Sequence, residues 1–327
     1  MQQTLTVSVE RFPIAGAFTI ARGSRTESVV VTASVTRGGA RGRGECVPYA
    51  RYGESVESVV NAIGTVRAAI EAGADRHSLQ QLLPAGAARN AVDCALWDLD
   101  AKFSGVPAYV LAGIDRLLPV VTAYTISVGA PAAMAQAAAA AAQRPLLKIK
   151  LAGEGDPERI AAVRAAAPES ELIVDANEAW RIETWAANMA ACAAAGVVLV
   201  EQPFPAGEDA ALAALPRAIP VCADESVHDR HGLASLRDRY DAINVKLDKT
   251  GGLTEALALV IAAERLGFGL FIGCMVGTSL AMAPAVLLTP RARFVDLDGP
   301  LLLARDRPQG LRYEGSVLYP PARELWG

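Results

Sequence analysis

Lys148 and Lys150 stand two positions apart in an otherwise apolar run, Leu146-Leu147-Lys148-Ile149-Lys150-Leu151. An extended chain alternates faces with period two, so both ammonium groups point one way while Leu147, Ile149 and Leu151 point the other. In a strand buried within a parallel sheet such charges are costly unless something compensates them. Three acidic residues terminate later apolar runs: Asp175 in Val174-Asp175-Ala176-Asn177, Glu201 in Val200-Glu201-Gln202-Pro203, and Asp224 in Ala223-Asp224-Glu225-Ser226. Converging carboxylates repel one another unless a hard cation neutralises them, and ligation by oxygen alone suits Mg²⁺. Any one of these acids alone reads equally well as a helix N-cap or a surface ion-pair partner; three in register on successive strands do not. Lys246, in Ile243-Asn244-Val245-Lys246, would face Lys150 across the same site. Paired ammonium groups beside a cation depress each other's pKa and yield an amine able to take a proton near neutral pH. Two such lysines on opposite sides of one substrate can remove a proton from one face and return it to the other, which is the chemistry of racemisation or epimerisation.

These residues need a scaffold that aims them at one point. From Val120 onward, short apolar strands at 121–126, 146–151, 171–175, 197–201, 219–223, 242–247, 269–274 and 293–297 alternate with long alanine-rich helical patterns. Lys150, Asp175, Glu201, Asp224, Lys246, Cys274 and Asp296 mark strand ends about every 22–28 residues, the length of a strand, a helix and two short loops. Eight strands in such a series predict an α/β fold, a modified (β/α)8 barrel of the TIM type, whose catalytic groups gather at the C-terminal ends of the strands. The run from Ala132 to Ala142 reads as a barrel helix, because alanine has the highest helix propensity. The first part of the chain differs: extended segments at 3–10, 28–37 and 41–47 form an antiparallel meander turned at Gly38-Gly39, and helical patterns follow at 55–72, 76–83 and 87–103. The expected organisation is therefore an α+β capping domain over 1–115, the barrel over 116–299, and a proline-rich segment over 300–327 packing back on the capping domain.

Composition excludes several classes. The chain has 327 residues, 52% hydrophobic and 20% charged, with a formal net charge of −4, so a large core is available and no basic footprint for nucleic acid exists. The start, Met1-Gln2-Gln3-Thr4-Leu5, lacks the basic and apolar regions of a signal peptide, and no run approaches a membrane span. Cys46, Cys94, Cys192, Cys222 and Cys274 are scattered and read as small hydrophobes in a reducing compartment, so a cytoplasmic location is expected. His77, His228 and His231 carry little weight, and His228 and His231 read as surface positions. Gly38–Gly44 reads as a hairpin, and Lys249–Gly252 lacks the context of a phosphate-binding loop.

The order Lys-x-Lys, Asp, Glu, Asp, Lys on successive strands resembles the enolase superfamily, muconate-lactonizing subgroup, over the whole chain. Phe294-Val295-Asp296-Leu297-Asp298-Gly299-Pro300 resembles the Asp-x-Asp motif of its dipeptide epimerases. Ala21–Arg25, Gly44–Ser55 and Asn244–Gly252 are similar to those bacterial members that act on L-Ala-D/L-Glu. The resemblance implies one Mg²⁺ per subunit on Asp175, Glu201 and Asp224, and two-base proton transfer by Lys150 and Lys246 through a metal-stabilised enediolate, with Lys148 supporting the developing charge. It further implies that Asp296 and Asp298 hold the ammonium of the dipeptide, that Arg25 on a capping-domain loop pairs with the glutamate side chain, with Arg22 as competing candidate, and that Thr125 lines the pocket. A role in murein peptide recycling and a homo-oligomer are implied in the same way. Three alternatives stay open: a dipeptide epimerase with another terminal-residue preference, a muconate cycloisomerase or o-succinylbenzoate synthase type of enzyme, and a noncatalytic dipeptide-binding protein.

Overall fold

A computed structural model of the chain describes residues 3–327. The N-terminal unit is a three-stranded antiparallel sheet, Gln3–Ile20, Gly23–Arg37 and Ala40–Cys46, with helices Val56–Glu71, Arg76–Leu82 and Ala87–Ser104. Ser55 and Ser58 form a capping box that starts the first helix, and Val59, Ile63, Val66 and Ile70 make its buried stripe. The third helix is buried on nearly every side. Its backbone rests directly on the third strand: a methyl group on Gly42 would lie 2.1 Å from the Ala95 carbonyl oxygen, and one on Gly44 2.2 Å from that of Ala91. Only hydrogen fits at these positions. Gly44→Ala should therefore destabilise the protein by about 1–3 kcal/mol through overpacking, seen as a lower urea midpoint; an unchanged midpoint would contradict this packing account.

The first hairpin is longer than its hydrophobic pattern suggests. Residues 11–27, outside the expected strands, continue it as a ribbon that pairs Phe18 with Arg25 and Ile20 with Gly23. Register is broken between Pro13 and Phe18, and proline cannot donate to a ladder. Phe12 and Ile14 pack in a small apolar cluster with Val30, Val47 and Leu303, but beyond them Phe18 and Ile20 face a cavity, so alternation carries no burial signal over the ribbon's outer part. Arg25 accordingly sits in the returning strand, not in a loop, and Arg22 occupies the turn.

Eight parallel strands follow in chain order: Tyr124–Ile126, Leu146–Lys150, Glu171–Asp175, Val197–Glu201, Val221–Ala223, Ala242–Val245, Gly269–Ile272 and Phe294–Val295. The first and eighth are joined by hydrogen bonds from Ala123 N to Val295 O (2.8 Å) and from Leu297 N to Thr122 Oγ1 (2.8 Å). Each strand sends one apolar side chain into the interior at the same level: Ala123, Leu146, Ile173, Leu199, Cys222, Ala242, Phe271 and Phe294. The alternate positions, among them Leu147, Ile149, Val174, Val200 and Val245, pack outward against the helices. Period two then dictates what lies one layer above the interior plug: Lys148, Asp175, Glu201, Asp224, Asn244 and Asp296. That layer is the site.

The connections are not uniform. Helices follow the first, second, third, sixth and seventh strands, Pro131–Ala140 among them, but between the fourth and fifth strands, and between the fifth and sixth, only the 3-10 turns Ala210–Ala213 and Leu233–Leu236 form. Pro203, Pro205, Pro216 and Pro220 and the charged stretch 228–239 leave no room there for the long helices expected. In the C-terminal part, Tyr313–Glu314 and Val317–Leu318 form a hairpin paired with Val120–Val121. Beyond it, Trp326 Nε1 donates to Cys94 O and Arg43 to Leu325 O, tying this part to the N-terminal helices and sheet. No helix among the described residues is long and apolar enough to cross a membrane.

Candidate active site

Asp175 and Glu201 end the third and fourth strands, and Asp224 follows the fifth directly. All three are essentially inaccessible to solvent. One oxygen from each lies within 4.8 Å of those of the other two. Lys148 Nζ lies 2.7 Å from Glu201 Oε2, 2.8 Å from Asp296 Oδ2 and 3.4 Å from Asp175 Oδ2. Lys150 Nζ donates to Asp175 Oδ2 (2.6 Å), and Lys246 Nζ to Asp224 Oδ2 (2.6 Å). Lys150 and Lys246 come from the second and sixth strands, opposite one another around eight, and both line one cavity of about 430 Å³. Lys148 lies behind that surface, against the Phe271 ring.

Burial pushes every one of these carboxylates up, and their neighbours decide the outcome. Asp175 is brought down to about 2 by Lys150 and Lys148, whereas burial and the Asp175 charge keep Glu201 up at about 7. Asp224 is held well below the usual range by Lys246 and Lys249 despite its burial. Lys148 does not show the depression expected from its pairing with Lys150, and Lys246 is raised as well. Burial does act against their charge, but the surrounding carboxylates outweigh it and hold both well above the ordinary range. Carboxylates outnumber ammonium groups at this point in space, a balance that a pair of lysines in sequence cannot reveal.

The donor set fits a hard divalent cation. The three carboxylates converge with no His or Cys among them, and Glu201 Oε2, though close to Lys148, receives no aligned hydrogen bond from any described residue. Such an ion would take over the oxygens on which the lysines rest.

Asp296 and Asp298 lie just beyond the two-residue eighth strand, not within it, and both face the cavity. Asp298 Oδ2 accepts the backbone N–H of Thr125 (2.7 Å), which also lines the cavity. Burial, then the neighbouring Asp296 charge, raises Asp298 to about 7. Asp296 Oδ1 is buried and has no hydrogen-bond donor among the described residues. The pair thus places two buried carboxyl groups on the cavity wall, with Lys148 on Asp296 Oδ2.

The two candidate arginines separate. Arg22 is committed: it donates to Asn177 O (2.8 Å), Glu178 (3.0 Å), Tyr49 Oη (2.9 Å) and Glu225 (2.6 Å), bracing the ribbon turn against the barrel loops. Arg25 lies 5.5 Å from the Tyr49 ring centre, faces the cavity and makes no ion pair among the described residues.

Several contributing residues escape the sequence reading. Asn244 donates to Glu201 Oε1 (2.7 Å), and its position two residues before Lys246 on the same strand face is the signal that could have found it. Gln202 adopts a left-handed backbone (φ 34°), which lets its side-chain oxygen accept Asp224 N (2.8 Å) and Ser226 N (3.1 Å). Glu225 and Lys249 also enter, the first beside Asp224 in sequence, the second only through the fold. His228 is half-buried against Tyr52, ring centres 4.6 Å apart, and is not the surface residue expected; His231 is exposed.

Known proteins resemble this chain in sequence and in fold. Residues 2–113 match the family described as mandelate racemase / muconate lactonizing enzyme, N-terminal domain, and 131–323 match the enolase C-terminal domain-like family. The chain is 47% identical over 319 residues to L-Ala-D/L-Glu epimerase of Escherichia coli, covering 97% of this chain and 99% of that one. It is 46% identical over 288 residues to N-acetyl-D-glutamate racemase of a Pseudoalteromonas species, covering 88% and 91%. A crystal structure of an enolase family member from Agrobacterium tumefaciens, with homology to dipeptide epimerases and with bound sodium and L-Ala-L-Glu, superimposes with a TM-score of 0.98 at 55% identity, covering 99% of this chain and all of that one.

Proposed function

The chain belongs to the mandelate racemase / muconate lactonizing enzyme family of the enolase superfamily, and from that premise we propose that it is a dipeptide epimerase acting on L-Ala-D/L-Glu. The observation that carries the reading is the placement of Lys150 and Lys246 on opposing strands of one cavity, flanking the buried carboxylates. Asp175, Glu201 and Asp224 would hold a Mg²⁺ ion, which supplies a Lewis acid for the substrate's terminal carboxylate. Lys150 and Lys246 each reach the cavity from their own side, so each meets one face of the carbon bearing the exchangeable proton. One acts as base on its face and the other as acid on the opposite face, with the roles reversed for the other diastereomer. Lys148 adds fixed positive charge beneath the reacting carboxylate, favouring the enediolate over the ground state.

Asp296 and Asp298 fit a free ammonium, and Arg25 fits the side-chain carboxylate of a terminal glutamate. An N-acetylated amino acid would place an uncharged group against Asp296 Oδ1, which favours the dipeptide over the N-acetylglutamate chemistry named for the Pseudoalteromonas relative. Muconate and succinylbenzoate chemistry would bring no ammonium to Asp296 Oδ1. The free cysteines support a reducing, cytoplasmic setting. A place in peptidoglycan peptide turnover rests on the Ala-Glu substrate reading, and a homo-oligomer, which sedimentation would check, belongs to the family resemblance.

Arg25 tests the substrate assignment. A charge-assisted hydrogen bond contributes about 1.5–3 kcal/mol. Arg25→Ala should thus lower kcat/KM for L-Ala-L-Glu by about 10–150-fold, while a dipeptide ending in valine changes little. An equal loss for both substrates would remove Arg25 from its assigned role.

A further inference from the structure

Each of the three converging carboxylates accepts a hydrogen bond at one oxygen and turns its other oxygen toward the site lysines. Asp175 Oδ1 accepts Asn177 N (2.9 Å), and Glu201 Oε1 accepts Asn244 Nδ2 (2.7 Å). For Asp224 the tie is Lys249, whose Nζ lies 2.6 Å from Oδ1. The inward oxygens, Asp175 Oδ2, Glu201 Oε2 and Asp224 Oδ2, are those that the site lysines touch. Of the three ties only Lys249 carries charge.

Lys249 cannot meet a substrate. It is 1% exposed and absent from the cavity wall, whereas Lys246 and Asp224 line it. Its three N–H bonds are all spent, on Asp224 Oδ1, Asp224 O (2.5 Å) and Asn244 O (2.9 Å). One ammonium therefore fixes the carboxylate and the backbone of Asp224 and joins them to the strand that carries Asn244 and Lys246. The residue stands in the helical turn Leu247–Thr250, which Gly251 ends in the left-handed conformation (φ 72°). Arg89, from the third N-terminal helix, donates to Thr250 O (2.7 Å) and Gly251 O (3.1 Å), so the turn is clamped from the other unit.

We propose that Lys249 is a positioning residue: it holds Asp224 so that one oxygen faces the cavity as a cation ligand and Lys246 is left free for proton transfer. Without it the Asp224 carboxylate can turn both oxygens toward Lys246, and the carbonyls of Asp224 and Asn244 each lose one donor. The inference rests on the reading of Asp175, Glu201 and Asp224 as a ligand set. Electrostatics alone acts in the opposite direction, since removing a cation beside three carboxylates favours binding of another. Weaker binding on removal therefore marks positioning.

The test is titration of the full-length protein with Mn²⁺ alone, followed by electron paramagnetic resonance, for the native chain, Lys249→Met and Lys249→Gln, with circular dichroism melting of each metal-free protein. Loss of a partner behind a metal ligand costs about 10–100-fold in affinity, so the expected result is a Mn²⁺ Kd raised at least tenfold in a folded variant. A merely structural lysine would lower the melting temperature and leave that Kd in place. A smaller rise, an unchanged Kd or tighter binding in either folded variant overturns the proposal, as does failure of both variants to fold, which would make Lys249 a folding residue. Absence of stoichiometric Mn²⁺ binding by the native chain would instead overturn the ligand set itself.

Discussion

Lys150→Met and Lys246→Met should each abolish epimerisation, lowering the rate by at least about 10³-fold, within the range that a positioned acid or base contributes. The two variants should differ in a way that a general loss of structure cannot mimic. Each retains one lysine, so each should still exchange the substrate α-proton with deuterium for the diastereomer that presents this proton to the surviving amine. The exchanging diastereomer should be L-Ala-L-Glu for one variant and L-Ala-D-Glu for the other. The basis is geometric: the lysines rise from the second and sixth strands and reach one cavity from opposite sides. Methionine keeps the length and apolar stem that each lysine packs with, so circular dichroism should show both variants folded. Residual exchange of both diastereomers by either variant would mean that one lysine serves both faces, and the two-base account would fail.

Glu201→Gln should be comparably severe, and its readout does not depend on turnover. A cation bound at 100 times its Kd stabilises the native state by about 2.7 kcal/mol, which for a chain of this size is a rise of several degrees in melting temperature. The native protein should show that rise with Mg²⁺ and lose it with chelator. In Glu201→Gln the rise should vanish and activity should fall at least about 10³-fold, while Asn244, which now donates to Glu201 Oε1, keeps an amide oxygen to bond. A Mg²⁺-dependent rise of unchanged size in the variant would remove Glu201 from the ligand set.

Most of the polar layer above the interior plug was legible in the sequence because it violates a pattern. Lys148, Lys150, Asp175 and Glu201 stand at positions where a buried parallel strand should be apolar, and period two alone places them above Leu146, Ile173 and Leu199 of the interior plug. The barrel and its strand order followed from spacing. What stayed hidden depends on the return path of the chain. Lys249 reaches Asp224 only because the Leu247–Thr250 turn folds back beside the fifth strand, and no periodicity encodes that contact. The outer part of the ribbon over residues 11–27 was invisible because its inner side chains, Phe18 and Ile20, face a cavity, where burial leaves no alternation. Arg22 and Arg25 could not be told apart by type or position. Only their partners separate them: Arg22 is spent on four acceptors, whereas Arg25 keeps its guanidinium for the cavity.

The most direct measurement is proton NMR of L-Ala-L-Glu with the protein and Mg²⁺ in D₂O. The account predicts loss of the glutamate α-proton signal, appearance of the L-Ala-D-Glu resonances, and arrest of both on adding a chelator. Exchange confined to dipeptides with another terminal residue would move the substrate and leave the two-base site standing. An α-proton signal that persists for every dipeptide offered, with Mg²⁺ present and the protein folded, would contradict the central claim.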